Sequence, residues 1–263
     1  MITLRQIIAL ALVALIYLAS PIPMAAADTS SEPTPQQAVD EHNGNHADDD
    51  FSDEFANDVE EPTVADPLER LNRGIFWFND KVYFYVLKPV ARAVRAVPVP
   101  VRTSVGNVFH NLAAPIRFAN ATLQFKFRGA GRELGRLLIN STIGILGLFD
   151  PAAHYFGLKP KDEDFGQTLG HYGVGQGPYL VLPFLGPSNL RDAAGTFADV
   201  FVDPVYYITD KQTQDLIAVK ATDTVNKTSL DKDTYEAIKR EALDPYVVIR
   251  SAYTQHRAAK VQE

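Results

Sequence analysis

Cysteine is absent from all 263 residues. That excludes a disulfide framework, thiolate catalysis, thiolate metal sites and acylation of a cysteine within this sequence. Long apolar runs are almost absent too. The longest is a 13-residue stretch from Ile7 to Ala19, short against the roughly 20 residues that a membrane-spanning helix needs. Arg5 precedes it, Pro21 and Pro23 break it, and Ala25-Ala26-Ala27 supplies an A-x-A pattern. These features predict an export signal over residues 1–27, cut after Ala27, with an uncleaved anchor as the alternative. Lysine and arginine are missing from residues 28–66, which hold 13 Asp or Glu and, apart from Phe51 and Phe55, almost no large apolar side chain. Such a composition cannot bury enough surface to offset chain entropy, so residues 28–65 are expected to be an acidic disordered linker. His42 and His46 lie within it and make at most a weak metal site.

Setting that segment aside reverses the sign of the charge. Residues 67–136 carry 12 Lys or Arg against 3 acids, and residues 137–263 carry 12 against 16. A basic first half suits an anionic partner, and export favours lipid headgroups over nucleic acid.

Ordered structure is expected over residues 66–263. Asp66-Pro67 reads as a helix start. Leu68, Leu71, Ile75, Phe78, Val82 and Tyr85 then recur at helical spacing. Arg70, Arg73, Trp77, Lys81, Phe84 and Lys88 form a second, basic and aromatic face. This suits a helix at a lipid–water boundary, or an ordinary amphipathic helix of a bundle. Further helices are expected between Pro100 and Pro115, through "PIRFANATLQFK", and over 188–201, 211–228 and 232–243, with a last one after Asp244-Pro245. Gly131, Gly135, Gly144 and Gly147 punctuate an apolar helical segment that also holds Arg136, Asn140, Ser141 and Thr142. Small residues there permit close helix approach. The fold class is therefore mainly α, with one short glycine- and proline-rich hairpin or loop around "YLVLPFL".

Tests for chemistry fail. Gly173-Val174-Gly175-Gln176-Gly177 is followed at once by Pro178 and a strand-like run, not by the helix that a nucleotide loop requires. Asp164-Phe165-Gly166 has no kinase catalytic loop before it. His154 and His171 lack the spacing of a zinc site. No catalytic residue, metal ligand or cofactor is assigned. Tyr179–Leu182, Phe184 and Leu185 form either a membrane or partner contact or a buried turn, and Ser188 or Asn189 is placed to cap the next helix.

"DPLERLNRGIFWFND", "INSTIGILGLFDPA", "DFGQTLGHYGVGQGPYLVLPFLGPSNLRD" and "DPYVVIRSAY" together resemble the MlaA (VacJ) family over roughly Asp66 to Tyr253. The resemblance implies a ring-like helical bundle embedded in the inner leaflet of a Gram-negative outer membrane, with an amphipathic channel at its centre. It implies a non-enzymatic role. Mislocalised phospholipids are removed from the outer leaflet and passed to a soluble periplasmic carrier, with a porin trimer holding the ring. It places Asn72, Arg73, Phe76 and Asn79 in an early helix near the channel. It puts Asn140, Thr142, Gly144, Gly147 and Asp150 along the lipid passage, and Gly170, Tyr172, Gly173, Gly175, Gly177, Pro178 and Pro183 in a signature loop. The family's lipid-bearing cysteine has no counterpart here, so attachment at the periplasmic face without an N-terminal lipid is expected. An interfacial phospholipase or acyltransferase, and a soluble envelope adaptor, are the alternatives from other classes.

Overall fold

A computed structural model describes residues 66–263; the export signal and acidic linker expected over 1–65 lie outside the described residues. The chain opens with α1 (Glu69–Val82), which passes through one π-helical turn (Tyr83–Leu87) into α2 (Lys88–Val94). Prolines then punctuate the path. Pro98 precedes α3 (Val99–Leu112), and Pro115 stands in the first turn of α4 (Ala114–Leu123), where its missing N–H is not needed. Next come α5 (Phe127–Thr142), the short α6 (Pro151–His154) and α7 (Phe165–His171). The hairpin pairs β1 (Tyr179–Leu182) antiparallel to β2 (Gly186–Asn189), in register Tyr179 to Asn189. α8 (Leu190–Asp199), α9 (Pro204–Ile208), α10 (Thr213–Leu230), α11 (Thr234–Glu241) and α12 (Pro245–Gln262) complete the described chain.

Asp–Pro steps start several of these helices. Asp150, Asp203 and Asp244 each accept hydrogen bonds from main-chain amides of the turn they open, the usual means of satisfying orphan donors. Asp66 departs from the expectation. Its side chain caps nothing in α1. It reaches instead to Asn72 (2.8 Å), to Arg250 (3.2 Å) and to the Tyr246 hydroxyl, tying the start of the domain to α12. Asn189, rather than Ser188, caps α8 by accepting the Asp192 amide at 2.8 Å.

α4 and α5 form an antiparallel pair, α10 packs on α2 and α3, and α12 lies over α7 and β2. α7 and α8 meet where Gly166 and Gly195 face one another; a Cβ on Gly195 would overlap the Gly166 backbone. Arg257 on α12 grips both helices, bonding Asp164 (2.7 Å) and Asp192 (2.7 Å).

The packing is inverted relative to a water-soluble bundle. On α5 the buried positions are Ala130, Glu133, Arg136 and Asn140, while Leu134 and Leu138 are exposed. On α4 the buried set is Ala114, Arg117, Asn120 and Ala121; on α1 it is Asn72 and Asp80, with Leu71, Trp77 and Phe78 outside. A small apolar core of Tyr179, Val181 and Tyr246, with Ile75, Phe76, Val247 and Tyr253 around it, lies under the hairpin. Scattered exposed leucines are ordinary, whereas buried charges and large apolar surfaces carry information. Among the described residues no helix is long and apolar enough to cross a membrane.

Candidate functional site

The buried stripes of α4 and α5 meet α3, α9 and α10 around a cavity of about 470 Å³. Its lining includes His110, Arg117, Arg136, Asp150, Asp203, Lys220, Asp223 and Lys227. Cation and acid alternate. Arg117 on α4 bonds Glu133 on α5 at 2.8 Å and the His110 carbonyl at 2.9 Å. Arg136, one helical turn along α5, bonds Asp150 at 2.9 Å and the Leu158 carbonyl. Lys220 pairs with Asp203, and Lys227 with Asp223 at 2.7 Å. The buried cations Arg117 and Arg136 thus each have an acid partner, as burial demands, while the Lys220 and Lys227 side chains reach the more exposed rim. The Arg136 Nε and Asp223 Oδ1 atoms are buried and bond no protein group.

This pairing sets the protonation states. Burial pushes the Asp150 carboxyl up, but bonds from Arg136, Asn140 and the Ala153 amide outweigh it, so it lies below the usual carboxylate range and stays ionised. Burial, reinforced by Arg117 and Arg136, pulls the His110 imidazole down to about 4. The cavity wall is therefore studded with fixed ion pairs and a neutral imidazole at physiological pH.

Of the five residues expected along the passage, Asp150 lines the cavity and Asn140 holds it, donating to Asp150 at 2.9 Å and accepting the Ala152 amide at 3.1 Å. Gly144 and Gly147 build the turn that ends α5. A Cβ at Gly144 would stand 2.5 Å from the Asn140 carbonyl oxygen and 2.6 Å from that of Phe149; one at Gly147 (φ +89°) would stand 2.6 Å from the Asn111 side chain. Thr142 turns outward and bonds back to the Leu138 carbonyl at 2.7 Å, while its neighbour Ser141 accepts the Asn111 amide at 3.0 Å.

The early helix acts on the hairpin. Asn72 donates to the Tyr179 carbonyl (3.0 Å) and accepts the Val181 amide (2.9 Å). Asn79, two turns on, donates to the Leu182 carbonyl (2.9 Å) and accepts the Phe184 amide (2.8 Å). Two side-chain amides thus satisfy the open edge of β1, work that a third strand would otherwise perform. Phe76 packs edge-on to Tyr246, and Arg73 lies 4.5 Å over the same ring while bonding Asp244.

The basic–aromatic face divides. Trp77 is exposed with Lys81 over its ring at 5.7 Å, and Arg70 is exposed beside Leu71, Phe78, Pro183 and Phe184. Phe84 and Lys88 turn instead toward α11, where Lys88 pairs with Glu236. In the signature loop, Tyr172 donates to the Leu123 carbonyl at 2.6 Å. Gly170 packs against Val261 and Arg191. Gly173, Gly175 and Gly177 run along the exposed surface to Pro178, and Pro183 stands at the hairpin tip beside Phe184.

The cavity's own charges (His110, Arg117, Asp162, Asp203, Lys220, Asp223 and Lys227) escaped the sequence reading, as did Glu133, which holds Arg117. One signal was present. Glu133, Arg136 and Asn140 share one face of α5, as Arg117 and Asn120 share one of α4; a polar stripe on helices already assigned to a membrane marks a lumen as readily as a solvent face.

Comparison with known proteins gives a consistent result. A profile of the MlaA lipoprotein family matches residues 64–260. The intermembrane phospholipid transport system lipoprotein MlaA of Escherichia coli K12 is 36% identical over 195 residues, covering 73% of this chain and 76% of that protein. An uncharacterized protein of Rickettsia bellii is 36% identical over 201 residues, covering 76% of this chain and 78% of its own. A solved chain, from work on the structural basis for maintenance of bacterial outer membrane lipid asymmetry, superposes with a TM-score of 0.66 at 35% identity, over 75% of this chain and 99% of its own. The chain belongs to the MlaA lipoprotein family.

Proposed function

We propose that this protein is a phospholipid transport component that maintains outer-membrane lipid asymmetry, and that the charged cavity is part of the route by which lipid leaves the outer leaflet. The observation that carries the reading is the inverted packing. Charged and amide side chains face the cavity, while Leu138, Ile145, Leu146, Phe197 and Phe201 face outward. A headgroup needs polar partners in transit, and acyl chains need an apolar surround; this arrangement offers both. Asn140 and Asp150 with Arg136 form the polar side of the route, and the Gly144–Gly147 turn borders it.

The protein sits at the periplasmic side of the outer membrane and is embedded by its apolar surface. That surface supports attachment without an acylated cysteine, which the sequence does not contain; one acyl chain adds only marginal binding. A porin trimer steadies it and a soluble periplasmic carrier accepts the lipid. No step requires covalent chemistry, so direction comes from the acceptor.

Deleting the gene in its own host and assaying surface-exposed phospholipid tests the reading. The expected result is phospholipid accumulating in the outer leaflet, reversed by the intact gene. A normal outer leaflet in the deletion strain overturns it.

A further inference from the structure

We propose that the corner between α4 and α5 is a second lipid site, separate from the cavity, that docks the head of an anionic phospholipid at the edge of the bilayer. The corner forms a groove of about 410 Å³ lined by Phe125, Phe127, Lys126, Arg128, Arg132 and Lys161, with Glu163 and Glu263. Phe125 and Phe127 are 67% and 66% exposed and meet edge to face with centroids 6.1 Å apart. Phe125 adopts a left-handed backbone (φ 57°), an uncommon conformation for an aromatic residue, of the strained kind that clusters at ligand clamps. Leu123 and Tyr172, both exposed, continue the apolar surface, and the Tyr172 hydroxyl joins them through the Leu123 carbonyl.

The charges in the groove are unevenly used. Lys126 bonds Glu163 at 3.2 Å, and Lys161 lies 3.9 Å from Glu163 and 3.4 Å from Glu263. Glu163 also accepts from Gln124 at 2.9 Å, and Lys260 lies 3.7 Å from Glu263. Both acids are therefore already neutralised. Arg128 is exposed and Arg132 half-buried; neither is engaged in an ion pair or hydrogen bond with the protein, in contrast to Arg117 and Arg136. Two free guanidinium groups beside exposed rings match a phosphodiester on an acyl chain. The planar fork binds phosphate oxygens in pairs, and the phenyl groups enter the bilayer edge beneath it. A free phosphate ion would leave those rings without an apolar partner, so the occupant is a lipid.

The site requires the membrane placement proposed above but not lipid movement, and the test keeps the two apart. The chain has one tryptophan, so Trp77→Phe combined with Phe127→Trp gives a single reporter in the groove. The protein is reconstituted in phosphatidylcholine vesicles containing brominated phosphatidylglycerol or, at equal mole fraction, brominated phosphatidylcholine. Quenching should show local enrichment of the glycerol lipid of about fivefold or more, as expected for cations worth about 1 kcal/mol each near an anionic surface. Arg128→Gln with Arg132→Gln should abolish the preference, and the paired Arg→Lys variant, which keeps the charge but loses the fork, should keep only part of it. Circular dichroism confirms that each variant is folded. Equal quenching by both lipids, or a preference unchanged in the Gln variant, overturns the site. No quenching by either lipid overturns the membrane placement and the site with it.

Discussion

The two asparagines of α1 offer a sharp test of how the hairpin is held. Asn72 is 1% exposed, and its partners, the Tyr179 carbonyl and the Val181 amide, belong to residues that are 2% and 3% exposed. Asn72→Ala leaves both main-chain groups buried and unpaired, with Asp66 losing a third bond. At roughly 1–3 kcal/mol for each unsatisfied buried group, the loss should be about 3–5 kcal/mol. Asn79→Ala removes bonds to the Leu182 carbonyl and to the amide of the exposed Phe184. Solvent or headgroup reaches that tip, so the loss should be about 1 kcal/mol. Each asparagine makes two bonds to the main chain of the hairpin; burial, and the further bond from Asn72 to Asp66, separate them. Thermal unfolding of the detergent-purified variants, followed by circular dichroism, reads the difference. Equal shifts for the two variants would refute the reasoning, as would a shift for Asn72→Ala within about 1 kcal/mol of the parent.

Three further outcomes follow from the site. Gly144→Ala forces a methyl group against two backbone carbonyls and should reduce stability by about 2 kcal/mol or more, whereas Gly135→Ala, mid-helix with its nearest neighbour at 3.7 Å, should be neutral or slightly stabilising; accumulation in membranes and melting temperature distinguish them. Arg136→Met strands the Asp150 carboxylate and should cost about 3–5 kcal/mol, with Asp150→Asn in the same chain restoring much of it, as measured by a double-mutant thermal cycle. For His110 the folded value, about 4, lies below the unfolded value near 6.5. The unfolded chain therefore takes up the proton first, and stability should fall, by up to about 3 kcal/mol, as pH drops from about 6.5 to 4. His110→Gln should flatten that part of the stability–pH curve, and an unchanged slope would exclude His110 as its source.

Much of the helical order was legible because proline and Asp–Pro steps mark ends by local chemistry that tertiary context seldom overrides. Asp244 shows it; the same step at Asp150 and Asp203 opens α6 and α9, two helices too short for any periodicity to announce them. Asp66 shows the limit. The same dipeptide is drawn away from capping by Asn72, Tyr246 and Arg250, residues as far as 184 positions along the chain. Helical periodicity found α1 but not its buried face: Asn72 and Asp80, which belong to neither predicted stripe, are the residues turned inward, while Leu71 and Phe78 are exposed. A stripe such as Glu133, Arg136 and Asn140 repeats at the same spacing whether it faces water or a lumen. The direction depends on what lies beyond the opposite face, which α5 alone does not specify. The resemblance grouped Thr142 with Asn140 along one passage; a two-residue step along a helix turns through more than half a circle, and Thr142 is exposed, as are Ile143, Ile145 and Leu146.

The connections made by α12 also bear on when the fold can close. Tyr246 and Arg250 reach Asp66, Tyr253 reaches Asp192, and Arg257 reaches both Asp164 and Asp192. Until α12 leaves the ribosome, Asp66 and Asp164 have no cation to meet and Asp192 has only its neighbour Arg191, and burying carboxylates unpaired is strongly unfavourable. The domain cannot complete itself piecemeal from its first helices. A nascent chain of this kind stays open until α12 has been made, because that helix brings the cations that Asp66 and Asp164 require.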